Sequence, residues 1–365
     1  MRRCTPRVFS LLLLLSLGFI AMYLDSRLAW DALPSPTHGF RRIARMVSGD
    51  PQPSTKKLQL VQSLHDVAQN TSLPRGIVIP VYEPIVNLAV SLILELRTMG
   101  VNAPVELPHC GDVKAESQEL FLQKTALGSI RFYDGNASTK VFCEDIEACH
   151  SKFRSFDIKV IAVVFSKFDE IMMVDADTTF FVSPALLWES EKYKKTGTLL
   201  MNDRIAHEIY FMAERVGGHQ VDSSLMFWNK KKQQRATAIL ASFKALSDVG
   251  SPPSYGDKEL YFYASELAET QYAFSDHAIG AVGTEYRDNG EKNSTLCGDM
   301  AQVFPIKQAS EDDVPLFYLN SDRVLHFKPE VEPVYYMKAR MANVYPGAFG
   351  ERRMECPFDI TGAQA

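Results

Sequence analysis

Ile171-Met-Met-Val174 reads as a short apolar strand that runs directly into Asp175-Ala-Asp177. Along an extended chain, residues two apart point to the same side. Both carboxylates can therefore face one ligand, with only a small residue between them. Hard oxygen donors at that spacing suit Mg2+ or Mn2+, ions that keep coordination positions open for phosphate oxygens. Such an ion would bridge protein and diphosphate and neutralise charge on a departing nucleotide. The competing reading is a solvated acidic turn. Thr178-Thr-Phe-Phe-Val182 continues the segment in a largely apolar vein, which speaks against a polar surface loop.

The surrounding segments are those of an α/β protein. Gly76-Ile-Val-Ile-Pro80 is strand-like, Pro84 opens a mostly apolar helix, and Gly100 closes it, a pattern that follows the Pro-first, Gly-after asymmetry of helices. Pro104 to Leu107 reads as a second strand, Ala115 to Ala126 as a helix, and Ser129 to Tyr133 as a third strand. Strands separated by helices predict βαβ units and a mostly parallel central sheet flanked by helices. Ligands of such sheets bind beyond the C-terminal strand ends, which is where Asp175 and Asp177 would lie. Ile158 to Phe165 is ambiguous on local grounds, since a run of β-branched residues fits a strand or a buried helix equally well.

Of the 365 residues, 46% are hydrophobic and 23% charged, enough to bury a substantial core and too apolar for a disordered chain. A net charge of −5 gives no electrostatic reason to expect nucleic acid as a partner. Val8 to Leu24 is an uncharged apolar run preceded by Arg2, Arg3 and Arg7. It is short for a spanning helix but long for the apolar part of a cleaved signal peptide, and no small-residue cleavage site follows it. The expectation is a single-pass anchor over 8–24 with a cytoplasmic tail over 1–7, the positive-inside arrangement; a cleaved peptide is the alternative. A stem over 25–72, rich in Pro, Ser and Thr, would contain one short helix around Leu60 to Ala68. A catalytic domain over 73–340 and a C-terminal tail over 341–365 complete the division. Sequons at Asn70, Asn136 and Asn293 agree with a lumenal compartment. So do five cysteines beyond the anchor (Cys110, Cys143, Cys149, Cys297, Cys356), an odd number that leaves at least one thiol free or paired between chains.

Phe168-Asp-Glu-Ile-Met-Met-Val-Asp-Ala-Asp177, followed by Val182-Ser-Pro-Ala-Leu-Leu-Trp188 and Tyr193-Lys-Lys-Thr-Gly197, resembles the fungal and oomycete type of α-1,3-mannosyltransferase. That family is similar in turn to the glycogenin-like retaining transferases. The same likeness runs through Gly76 to Pro80, Gly256-Asp-Lys-Glu259 and Ser321-Asp-Arg-Val-Leu-His-Phe-Lys-Pro329. The resemblance implies a GT-A fold, the α/β fold of nucleotide-diphospho-sugar transferases, and transfer with retained α configuration. It implies Asp175, Asp177 and His326 as ligands of Mn2+ (or Mg2+), with Lys328 meeting the donor diphosphate. A neutral imidazole is an ordinary ligand for such an ion, and lysine a suitable point charge for phosphate. Lys159 matches a family lysine that approaches donor phosphate or sugar from a helix before the metal motif, which favours the helical reading of 158–165. Tyr82 and Lys258 are expected at the donor, Tyr82 because the residues around Pro80-Val-Tyr82 would choose the base.

Asp222 and Asp257 are the acids nearest the expected sugar pocket. Positive charge develops at the anomeric carbon, so a carboxylate is needed close by. Either one of them stabilises the oxocarbenium-like state, or departure and attack share one face. Ser224 stands where relatives have glycine, and Lys258 where the glycogenin-like group often has glutamine. The resulting expectation is an α-1,3-mannosyltransferase that moves mannose from GDP-mannose to a glycoprotein glycan in the Golgi, with its catalytic domain in the lumen. The alternatives are a UDP-sugar transferase of the same fold and a lumenal glycan-binding scaffold without activity.

Overall fold

A computed structural model describes residues 66, 68–124, 130–134, 156–205, 219–245, 256–277, 279–283, 285–286, 295–296, 299–308, 314–321 and 335–337. The expected anchor, nearly all of the stem, the C-terminal tail, Asn136, Asn293, His326 and Lys328 lie outside these residues. No helix among the described residues is long and apolar enough to cross a membrane.

Strand β1 (Leu73–Val78) leads through a short 3-10 turn at Glu83–Ile85 into helix α1 (Val86–Thr98). Pro84 lies within that turn, and Gly100, at φ 79°, follows the helix as the left-handed residue that stops it. Next come β2 (Val105–His109), α2 (Ala115–Lys124) and β3 (Ile130–Asp134). Then follow α3 (Asp157–Phe165), β4 (Phe168–Val174), β5 (Thr178–Phe180) and α4 (Glu191–Thr196). The strands β6 (Thr198–Ile205) and β7 (His219–Asn229) precede α5 (Gln234–Ala245) and α6 (Leu260–Leu267).

Six strands form the central sheet in the order β3-β2-β1-β4-β7-β6. Neighbours from β3 to β4 are parallel, and only β7 opposes the rest, since it is antiparallel to both β4 and β6. The mostly parallel sheet read from the sequence is thus present. Alternation along β4 explains why the strand is apolar throughout. Met172 and Val174 join the core that contains Ala89, Leu92, Ile93 and Leu96 of α1. Ile171 and Met173 join the opposite core, with Val160 and Val163 of α3, Ile239 of α5 and Tyr261 of α6. A sheet covered on both faces shows no polar alternation. Helix α3 is likewise buried from Lys159 to Phe165, so it has no solvent face to give it a helical period. That resolves the ambiguity of 158–165. Gly76 is required by packing, because a Cβ there would stand 2.1 Å from the Phe168 ring.

A second sheet begins where the first ends. The chain includes β8 (Gly280–Gly283), β9 (Glu285–Tyr286), β10 (Thr295–Leu296), β11 (Asp299–Val303), β12 (Leu316–Asn320) and β13 (Tyr335–Met337). Five strands pair in the order β13-β8-β11-β12-β5. Strand β5 lies just beyond Asp177, and its Thr178 is paired with Asn320 of β12. The acidic triplet is therefore the crossing point from one sheet to the other.

Candidate active site

The crossing changes the local geometry expected for the triplet. Asp175 to Thr178 is a turn, not an extended continuation of β4: the amide of Thr178 donates to the carbonyl of Asp175 at 3.2 Å. A chain leaving one sheet for another must bend, and a four-residue turn does so within a short span. Three further backbone and side-chain bonds hold the bend. Asp175 donates its amide to the Ser224 carbonyl at 2.8 Å, and the Asp177 carbonyl accepts the Ser321 amide at 3.0 Å. Asn320 Nδ2 donates to Asp177 Oδ1 at 2.8 Å. Both aspartates are half-buried while Ala176 between them is buried. The reading as a solvated surface turn fails on that burial, although the backbone is a turn.

Lys159, on the first turn of α3, reaches across to the Asp175 carboxylate at 2.7 Å. It also lies 3.4 Å from the carbonyl and the hydroxyl of Ser223. Burial alone would push its ammonium down, but Asp175, then Asp257 and Asp222, outweigh it and hold the group above the ordinary lysine range. For Asp175 the balance runs the other way. Burial and the neighbouring charge of Asp177 push it up to about 7, against the pull of Lys159. One ammonium is shared among several carboxylates, so the cluster carries surplus negative charge.

Asp257 and Asp222 lie deeper. Asp257 is fully buried; Ser223 Oγ donates to its Oδ1 at 3.2 Å and the Tyr261 hydroxyl to its Oδ2 at 3.0 Å. Burial pushes this carboxyl up. Asp222, 1% exposed, accepts the Ser224 amide and hydroxyl at 2.8 Å, the Tyr318 hydroxyl at 2.9 Å and Gln302 Nε2 at 3.0 Å. Burial, and then Asp222, push the Tyr318 phenol well up, which keeps it protonated as a donor. The Ser224 hydroxyl is spent inside this network, so its side chain turns inward. As placed, neither Asp222 nor Asp257 offers an oxygen to a ligand from solvent.

Tyr82 follows β1 at the same end of the sheet as the triplet and is 42% exposed, available to a ligand. Lys258 is paired with Asp203, itself buried, so its charge is committed within the protein. The structure thus brings together Asp175, Asp177, Lys159, Asp222 and Asp257. The supporting residues Ser223, Tyr261, Gln302, Tyr318 and Asn320 were not singled out from sequence. Tyr261 stands four residues after Asp257, the one-face spacing of a helix, and could have been read that way. The others act across the fold, with Asn320 separated from Asp177 by 143 positions.

A divalent cation fits what is present. The donors are hard oxygens at the C-terminal end of a sheet strand, and their surplus negative charge is what such an ion would neutralise. Among the described residues no three His, Cys, Asp or Glu stand together as a ligand group. The described chain therefore supplies two carboxylates at most.

Comparison with known proteins adds an independent line. A family model described as "Mannosyltransferase putative" matches residues 74–210 and 207–303. "Putative alpha-1,3-mannosyltransferase MNN14" of Candida albicans is 22% identical over 334 residues, 78% of this chain and 47% of that protein. "Alpha-1,3-mannosyltransferase MNT2" of Saccharomyces cerevisiae is also 22% identical, over 78% of this chain and 58% of its own length. The chain thus spans roughly half the length of these relatives. Among solved structures, the Saccharomyces cerevisiae mannosyltransferase Ktr4p superposes with a TM-score of 0.36 at 8% identity, covering 62% of this chain and 80% of that one.

Proposed function

The chain belongs to this mannosyltransferase family, and from that premise we propose that it transfers mannose from GDP-mannose to a glycoprotein glycan, forming an α-1,3 linkage with retained configuration. The observation that carries the proposal is the half-buried Asp175–Asp177 turn, set against the buried ammonium of Lys159 at the C-terminal edge of a mostly parallel sheet. A Mn2+ or Mg2+ ion held by these carboxylates would supply positive charge to the donor diphosphate and to the departing nucleotide. Family relatives that bear the name α-1,3-mannosyltransferase support the sugar and the linkage.

The chain's own residues would divide the work. Asp175 and Asp177 hold the cation. Lys159 orients Asp175 and screens the buried acids from one another. Tyr82, exposed at the end of β1, meets the donor. Asp257 and Asp222 lie behind this layer, and their negative charge favours the cationic character that develops at the anomeric carbon. Their burial and their hydrogen bonds within the protein favour departure and attack on one face over a covalent glycosyl-aspartate. In this proposal His326 and Lys328 complete the site as a third metal ligand and a phosphate contact. Asn320, which touches Asp177, is six residues before His326, a span of at most about 20 Å when extended. The apolar run at 8–24 would anchor the protein in the Golgi membrane with this domain in the lumen.

The test is a screen of the purified domain against GDP-mannose, other GDP-sugars and UDP-sugars, with Mn2+ present and a mannoside acceptor. Turnover of GDP-mannose with transfer to the acceptor is the expected result. Preference for a UDP-sugar would move the protein to a different donor on the same fold, and glycan binding with no turnover of any donor would make it a scaffold.

A further inference from the structure

Asn320 joins the second sheet to the metal turn through a side chain. Its Nδ2 donates to Asp177 Oδ1 at 2.8 Å and lies 3.3 Å from Thr178 Oγ1. The amide orientation follows from chemistry: with the group reversed, its oxygen would face a carboxylate oxygen that can only accept. The next residue adds a second tie to the same aspartate, the Ser321 amide on the Asp177 carbonyl at 3.0 Å. Both ties depend on one register, Asn320 opposite Thr178. Asp177 is thereby gripped at side chain and backbone by the last residue of β12 and the residue after it.

We propose that Asn320 is a positioning residue for the divalent cation: by holding one oxygen of Asp177, it fixes the direction in which that carboxylate addresses the ion. The inference rests on the metal role given to Asp177 above. A half-buried carboxylate on a turn can rotate about its Cβ–Cγ bond, and a ligand that samples several orientations binds an ion more weakly than one held in place. Partners behind metal ligands act in this way, and their loss typically weakens binding by about ten- to a hundredfold. Asn320 touches neither donor nor acceptor in this scheme. Its effect should appear in metal affinity and disappear when metal is saturating. Tyr318, two residues earlier on the same strand, makes the matching comparison, because its hydroxyl bonds Asp222 and Ser224, not Asp177.

The experiment measures Mn2+ binding to the purified protein directly, by electron paramagnetic resonance of free Mn2+ in the presence of GDP, alongside thermal unfolding. Asn320→Ala should raise the Mn2+ dissociation constant about tenfold, and donor KM should return to within about twofold of wild type at saturating Mn2+. Tyr318→Phe should lower the unfolding temperature and leave Mn2+ affinity within about twofold. If wild type binds Mn2+ and Asn320→Ala binds it equally well, Asn320 is structural and the inference is overturned. If Asn320→Ala does not fold, Asn320→Ser, whose hydroxyl is too short to reach Asp177, gives the same reading. A wild-type protein that binds no Mn2+ overturns the metal role of Asp177 first, and this inference with it.

Discussion

A buried lysine stands at each end of helix α3, Lys159 on the helix itself and Lys230 from the turn after β7, and the two are held in opposite ways. At its start, Lys159 places its ammonium 2.7 Å from the Asp175 carboxylate, with Asp257 and Asp222 close behind. At its end, Lys230 Nζ donates to the carbonyls of Val164 at 2.9 Å and Ser166 at 2.8 Å. Both side chains are nearly out of reach of water, at 8% and 2% exposure. Desolvating an ammonium costs several kcal/mol. One ion pair at 2.7 Å returns about 6 kcal/mol at an effective dielectric constant near 20, and the further acids decide the matter, so Lys159 stays charged. Lys230 has dipoles for acceptors, and burial pushes it down to about 7, with Glu106 the largest opposing influence. The two ends of the helix serve different tasks. Carbonyl acceptors close a helix whose last carbonyls lack partners, a structural task that a neutral amine can perform. A permanently charged lysine amid buried carboxylates is expensive to build and marks the end of the helix where chemistry is proposed.

Lys159→Met should have the largest effect, because it leaves several buried acids facing one another without a cation. Breaking a buried pair costs about 3–5 kcal/mol, and transfer activity should fall at least about a hundredfold. The pH dependence has a definite sign. Removing Lys159 raises the folded-state pKa values of Asp175 and Asp257 further above their unfolded values. The extra stability of the protonated acids is then present at low pH and lost as pH rises through the folded pKa. Urea unfolding should show the variant deficit largest above pH 7 and smaller near pH 5; a deficit independent of pH would remove the charge argument.

Lys230→Met should act more mildly and with another profile. The wild-type lysine titrates near 7 when folded and near 10.4 when unfolded. Between those values the unfolded chain binds the extra proton, so wild-type stability rises with pH across that window. The variant lacks this rise. Below pH 7 the two proteins should agree within about 1–2 kcal/mol, the lost carbonyl bonds being offset by the ammonium no longer buried. By pH 9.5 wild type should lead by a few kcal/mol more. Parallel stability profiles would show that Lys230 is charged in the folded protein and would erase the contrast with Lys159.

Arg75→Ala supplies the small end of the scale. Arg75 pairs with Glu170 at 2.9 Å and Glu189 at 3.3 Å, and its guanidinium lies over the Trp188 ring, but all three side chains of the ion cluster are partly or largely solvated. Its loss should cost no more than about 1 kcal/mol and leave transfer unchanged. A larger loss of activity would mean that buried charge at the triplet is not what sets these positions apart.

How much of this could be read from sequence follows from how local each feature is. The alternation of strands and helices from Gly76 to Tyr133 was legible because each element carries its own start and stop residues, such as Pro84 and Gly100. Asp175 and Asp177 were legible as a pair, since they stand two residues apart after an apolar run. Their turn geometry was not, because it depends on β5 leaving for a sheet whose other strands come more than a hundred residues later. Helix α3 was hidden by its own complete burial. Asp222 and Asp257 were legible as acids near the expected sugar pocket, but their depth was not: it is set by Tyr318 and Gln302 from the second sheet and by Tyr261 from α6, contacts that no local pattern encodes. Lys230 sits in the Lys230-Lys-Lys232 run, whose composition gives no sign that one of its side chains is fully buried.

The most direct test of the central claim is mannosyl transfer from GDP-mannose by the purified domain, followed through chelation and metal return, with Asp177→Asn measured beside wild type. An amide oxygen binds Mn2+ far more weakly than a carboxylate in the same place. Wild-type activity should vanish in EDTA and return with added Mn2+, and Asp177→Asn should remain folded and inactive in both conditions. Full wild-type activity in EDTA, or an active Asp177→Asn protein, would contradict the account.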